Sequence, residues 1–183
     1  MKKWIACILV VAIGCSLFGC LPKTTPVENF LMAAIKMDLA AMREEIVPDD
    51  ATGSFYRKLQ TAHLPEESLN VLRELYSLVQ YTMGEISSDT VGEKTVSVTV
   101  RAPDMEKIRS LITAELLVSG KSSEKALGDM LAEGKISRNM MKEYNVSVKM
   151  EESDGEWKIP YGDKANAEFV KALALAEMMD LMN

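Results

Sequence analysis

The sequence predicts an α+β fold, N-terminal helices packed on an antiparallel sheet, and three observations carry that prediction. Apolar residues between Val27 and Ile46 recur at helical spacing, as in an amphipathic helix. Thr95 to Arg101 and Tyr144 to Met150 alternate apolar and polar residues, which marks half-buried strands. Asp154-Gly155 separates two alternating runs, and both residue types accept the positive φ of a two-residue hairpin turn. A chain of 183 residues is long enough to bury a substantial core as one domain. With 48% hydrophobic and 26% charged residues it is neither a disordered chain nor a collagen-like repeat. A net charge of −6, without a basic cluster beyond the N-terminus, argues against a nucleic-acid partner.

The elements follow in order. Thr25, Pro26 and Glu28 make a helix start with a capping box, and the stripe Val27, Phe30, Leu31, Ala34, Ile35, Leu39, Met42, Ile46 predicts one long first helix, stopped at Pro48-Asp49-Asp50. A short second helix holds Phe55 and Leu59, and a third opens at Pro65-Glu66-Glu67 with Leu69, Leu72, Tyr76 and Val79 on one face. A strand from about Val79 to Ser88 changes parity between Met83 and Ile86, which places a bulge at Gly84. Val91-Gly92 turns it into the strand carrying Val96, Val98 and Val100, which Pro103 ends. Asp104 caps a helix, and Ser122 or Ser123 caps another that ends near Gly134, a two-helix insertion between hairpins. The second hairpin places Trp157, Ile159 and Tyr161 on one face of a last strand. A single C-terminal helix, Asn166 to Asn183, is expected to pack Met178, Met179 and Met182 over the sheet. No repeat or long linker divides residues 26–183, so one domain is expected there.

The N-terminus reads as an address. Lys2 and Lys3 precede the uncharged run from Trp4 to Phe18, the pattern of an export signal. Leu17-Phe18-Gly19-Cys20 resembles the lipobox of bacterial lipoproteins, although Phe18 stands where that motif has a small residue. Cys15, after Ala12-Ile13-Gly14, is a second, earlier box without the leucine. The resemblance implies a signal peptide over 1–19, acylation (diacylglyceryl and palmitate-type chains) at Cys20 and a tether over 20–25. The chain would then be lipid-anchored outside the cytoplasm, with the bilayer as its first partner. The competing reading is an uncleaved membrane-spanning anchor, since Trp4 to Leu21 reaches the lower end of the roughly 17–25 apolar residues a span requires. All three cysteines (Cys7, Cys15, Cys20) lie in this segment, so the folded part has no disulfide, thiolate metal site or cysteine nucleophile. Cleavage before Cys20 removes Lys2 and Lys3, taking the charge from −6 to −8, so the mature part is repelled by anionic lipid.

Pro26 to Met42, the strand before Pro103-Asp104, and Val146 to Ile159 with its E-S-D-G-E-W-K-I hairpin together resemble the bacterial lipoproteins with a cystatin-like or SnoaL-like domain, in the nuclear transport factor two superfamily. The resemblance implies a cone-like sheet wrapped on a long first helix, with a pocket at its wide end and no assigned activity. Within such a pocket Asp38, which interrupts the apolar stripe, is the candidate base of an isomerase or dehydratase; as a solvated helix edge it would do nothing. Tyr81, Tyr144 and Tyr161 are candidate ligand-binding residues, and Trp157 is expected in the sheet core. His63, the single histidine, lies in a loop before Pro65 and reads as a surface residue. Glu151, Glu152, Asp154 and Glu156 lack the spacing of a calcium loop and read as a solvated hairpin tip. No glycine-rich phosphate loop, zinc motif or serine elbow occurs, so neither cofactor nor metal is expected. The expected function is a non-catalytic binding module for a small apolar ligand or an envelope protein, with the cone-fold enzyme as alternative.

Overall fold

The computed structural model of the chain describes residues 24–182. The expected export segment 1–19, the expected acylation site Cys20 and the start of the expected tether lie outside them. Helix α1 (Pro26–Lys36) begins as its sequence dictates: Thr25 Oγ1 accepts the Glu28 N–H at 3.1 Å, and Pro26 fills the first turn, where no donor is needed. The apolar stripe does not continue as one helix. Met37 adopts the left-handed conformation (φ 51°, ψ 41°), and Asp38 then caps a separate helix α2 (Leu39–Glu44) by accepting the Ala41 N–H at 3.0 Å. An aspartate favours a cap over a helix interior, and the break costs no burial because Met37 and Met42 both remain in the core. Helix α3 (Phe55–Thr61), capped by Ser54, and helix α4 (Glu66–Tyr76) follow.

Strands β1 (Gln80–Thr90), β2 (Glu93–Pro103), β3 (Met141–Ser153) and β4 (Glu156–Lys158) form an antiparallel sheet in that order. Val96 faces Val148 and Val98 faces Val146, so the alternation of both strands meets on one buried face. The β1–β2 register slips between Met83 and Ile86. A Cβ on Gly84 would lie 3.0 Å from the Ser97 carbonyl oxygen, so a side chain there would push the two strands apart. Asp154 (φ 55°) and Gly155 (φ 79°) make the tight turn of the second hairpin.

The last strand is shorter than its alternation predicts. Ile159 leaves the β3 ladder and bridges Ile46 in parallel: its N–H donates to the Glu45 carbonyl and its carbonyl accepts from Val47, both at 2.9 Å. Pro160 has no N–H to extend a ladder, and the segment after α2 covers this edge of the sheet. Between the hairpins lie α5 (Met105–Ser119), capped by Asp104, and α6 (Ser123–Ala132), capped by Ser122.

The C-terminal helix is also two helices. Ala174, at φ 49°, separates α7 (Ala167–Leu173) from α8 (Leu175–Leu181), and both halves bury their apolar residues, including Phe169, Leu173, Leu175, Met178 and Met179. Asn166 lies before α7 rather than within it, and it is buried. Its amide donates to the carbonyls of Lys149 and Pro160, each at 3.1 Å, and its Oδ1 accepts the Lys149 N–H at 2.8 Å. That clamp fixes the approach of α7 to β3. Beneath it Phe30 of α1, Phe169 of α7 and Tyr161 meet with ring centroids 5.3 to 6.3 Å apart, and Phe55 stacks on Tyr161 at 4.4 Å. Eight α-helices among the described residues thus pack with the four-stranded sheet around this core.

Candidate functional site

The buried face of the sheet runs out at one end. Along β2 the inward parity passes through Val100, Val98 and Val96 to Lys94, which pairs with Met150 of β3. There the helices no longer cover the sheet, and a groove of about 590 Å³ opens between the β3–β4 hairpin and the N-terminus of α1. Its apolar walls are Ile86, Met150 and Trp157; its polar walls include Asn29, Glu44, Glu45, Lys94, Glu156 and Lys158. Thr24, Thr25 and Pro26 line it too, so the chain leading into α1 runs along its rim.

Most of the polar groups are held by the fold. Glu45 closes the C-terminus of α2, and its carbonyl is committed to Ile159 of the adjacent sheet edge, which fixes the base of its side chain. Asn29 Nδ2, one turn into α1, donates to Glu45 Oε1 at 3.1 Å. Burial pushes the half-buried Glu45 carboxyl above its ordinary range, with the charges of Glu44 and Glu156 pushing the same way; the Asn29 hydrogen bond and Lys158 oppose them. Lys94 Nζ sits 4.1 Å from the centroid of the Trp157 ring, a cation–π contact that occupies one face of the indole. Lys158 Nζ lies 3.6 Å from Glu156 Oε2. The groove therefore offers both signs of charge beside an apolar strip, with three carboxylates against two ammonium groups.

The candidates named from sequence do not converge on this groove. Asp38 is solvent-exposed at the start of α2, so it is not a carboxylate in an apolar pocket, and no base is placed by it. Tyr161 is buried within the aromatic cluster, its hydroxyl without a hydrogen-bond partner among the described residues, and burial drives its ionisation far above the ordinary phenol range. Tyr81 and Tyr144 both pair with Val100 across the sheet and are half-buried against the core, not in the groove. His63 is exposed beside Arg57 and Lys58 on a separate depression, where Lys58 is paired with Asp180 at 2.6 Å. Cys20 lies outside the described residues.

Trp157, expected in the core, is half-buried and lines the groove instead. Asn29, Glu44, Glu45 and Lys94 were not singled out by sequence. The available signal was Lys94 itself, a lysine on the parity of three buried valines. Among the described residues no helix is long and apolar enough to cross a membrane, and no cluster of three or more histidine, cysteine or carboxylate side chains could hold a metal ion.

No protein-family model matches the chain, and no curated protein matches it. Among solved structures, a putative lipoprotein (ycdA) from Bacillus subtilis is similar at 18% identity and a TM-score of 0.38, over 80% of this chain and 45% of that one. The chain thus spans less than half the length of that protein.

Proposed function

We propose that the chain is an exported lipoprotein, held on the outer side of a cell membrane by acyl chains on Cys20, and that its folded part is a non-catalytic binding module of cystatin-like or SnoaL-like kind. Its ligand is small and amphiphilic, an apolar body carrying an ammonium group, and it binds in the groove at the end of the sheet. One observation carries the binding reading: the half-buried Glu45 carboxylate, held by Asn29, stands in the same groove as the half-exposed Trp157 and Ile86. A cation arriving there gains a partly dehydrated carboxylate while its apolar part covers exposed side chains. The lipobox-like Leu17-Phe18-Gly19-Cys20 supports the address, and two or more acyl chains supply lasting attachment where one does not.

Mass spectrometry of the mature N-terminus tests the address. A chain starting at acylated Cys20, which Cys20→Ser releases from the membrane, is the expected result; an intact N-terminal segment or unchanged retention refutes it. Binding is read from Trp157, which is the sole tryptophan once residues 1–19 are removed. Octylamine is expected to shift its emission to the blue saturably, and octanoate to leave it unchanged. Equal responses to the two would refute the ammonium reading.

A further inference from the structure

We infer that the groove takes the phosphoethanolamine head of a phospholipid in the very bilayer to which the chain is anchored. This rests on the anchoring and binding readings above and adds the ligand's class and source. Distance is the first argument. Thr24 is on the groove and lies four residues from Cys20, so even fully extended chain holds the rim within about 14 Å of the anchored residue. A leaflet's head-group layer is itself roughly 5–8 Å deep, so the groove stays within reach of lipid heads. Exposure is the second. Ile86, 52% exposed, lines the groove, and Val91, fully exposed, tips the β1–β2 turn, which lies at the same end of the sheet as the β3–β4 turn because Glu93 pairs with Glu151.

Charge selects the head group. Glu44 and Glu45 accept hydrogen bonds from a primary ammonium, which has three donors to give, while Lys94 and Lys158 suit the phosphate one link away. A choline head has no N–H to donate and would need an open aromatic face, and Lys94 already occupies one face of Trp157. A glycerol head has no cation at all and meets three carboxylates.

The test uses the full lipidated chain with Trp4→Phe, which leaves Trp157 as its sole tryptophan whether or not the leader is cleaved. It is purified from membranes and reconstituted in vesicles of phosphatidylcholine alone, with added phosphatidylethanolamine, or with added phosphatidylglycerol. The expected result is a blue shift of Trp157 and protection from acrylamide in the ethanolamine vesicles alone. Glu45→Gln in that chain should require about tenfold more ethanolamine lipid for the same shift. A similar response in all three vesicles, a response to the glycerol lipid, or none overturns the inference. So does an equal response in phosphatidylcholine vesicles supplied with soluble phosphoethanolamine, which would place the source in solution. Flotation with the vesicles and the mass of Cys20 report the anchor separately: a floating chain with a silent Trp157 sinks the lipid assignment alone, whereas an unmodified Cys20 sinks both.

Discussion

Helix α1 serves two regions of opposite character through adjacent residues. Phe30 points into the cluster with Tyr161 and Phe169, where these three rings are buried and packed against one another. Asn29, roughly 100° further round the helix, points into the groove and holds a carboxylate beside a half-exposed indole. The hairpin shows the same gradient: Trp157 is half-buried, while Ile159 and Tyr161, the next two residues on that parity, are buried. Burial along this segment thus passes from packed core to open site within five residues. The cluster spends its side chains on stability, and the groove leaves polar and apolar surface partly open to solvent. Substitutions in the two regions should therefore separate stability from binding.

The largest effect belongs to the cluster. Phe169→Ala removes a fully buried ring from contact with Phe30 and Tyr161 and is expected to cost about 3–5 kcal/mol in urea denaturation followed by circular dichroism. Trp157→Ala deletes a larger side chain, yet one only partly buried, and should cost less than half as much while weakening octylamine binding measured by calorimetry. Comparable losses of stability from the two would erase the distinction between core and site.

A pair of tyrosines sharpens the comparison within the core. Tyr76 is fully buried and its hydroxyl donates to the Leu173 carbonyl at 2.7 Å, tying α4 to the end of α7. Tyr76→Phe leaves that carbonyl unpaired and should cost about 1–2 kcal/mol. The Tyr161 hydroxyl has no such partner among the described residues, so Tyr161→Phe removes a buried polar atom whose desolvation nothing offsets. It should be neutral or stabilising by up to about 1 kcal/mol. A clear loss of stability in Tyr161→Phe would mean that its hydroxyl is hydrogen-bonded after all.

The periodic parts of the chain were readable because side-chain direction follows from position along a strand or helix. Val96, Val98 and Val100 share a face, Gly84 marks the bulge, and Thr25, Asp104 and Ser122, one of two serines offered there, cap helices. The breaks at Met37 and Ala174 were not readable, since neither residue type favours a left-handed backbone and alanine is the best helix former. What sets them is packing on both sides of the break, which only the assembled fold defines. The site was missed for a related reason. Aromatic residues at strand spacing point inward, but where the helical cover ends before the sheet does is a tertiary matter; spacing alone therefore does not show that Trp157 lines the groove as well as packing on the core, or that Tyr161 is buried. Glu45 becomes distinctive only when the Ile46–Ile159 bridge brings α2 beside the hairpin.

The smallest effect belongs to the groove and appears as a pH dependence. Burial raises the Glu45 carboxyl above its unfolded value. The folded chain therefore holds that proton more tightly than the unfolded one. The stability this contributes is fully present below the unfolded value and is lost as the pH rises through the folded one. Glu45→Gln cannot lose it, so its stability relative to the parent chain should improve as the pH rises from the ordinary glutamate range through the raised folded value, and then level off. Phe169→Ala should show the same offset from the parent at every pH. Octylamine discriminates further: an ammonium in the groove favours the ionised carboxylate, lowers its pKa and closes the gap between Glu45→Gln and the parent. A gap indifferent to octylamine would show that Glu45 senses only its own burial, and the groove would then differ from the core in exposure but not in purpose.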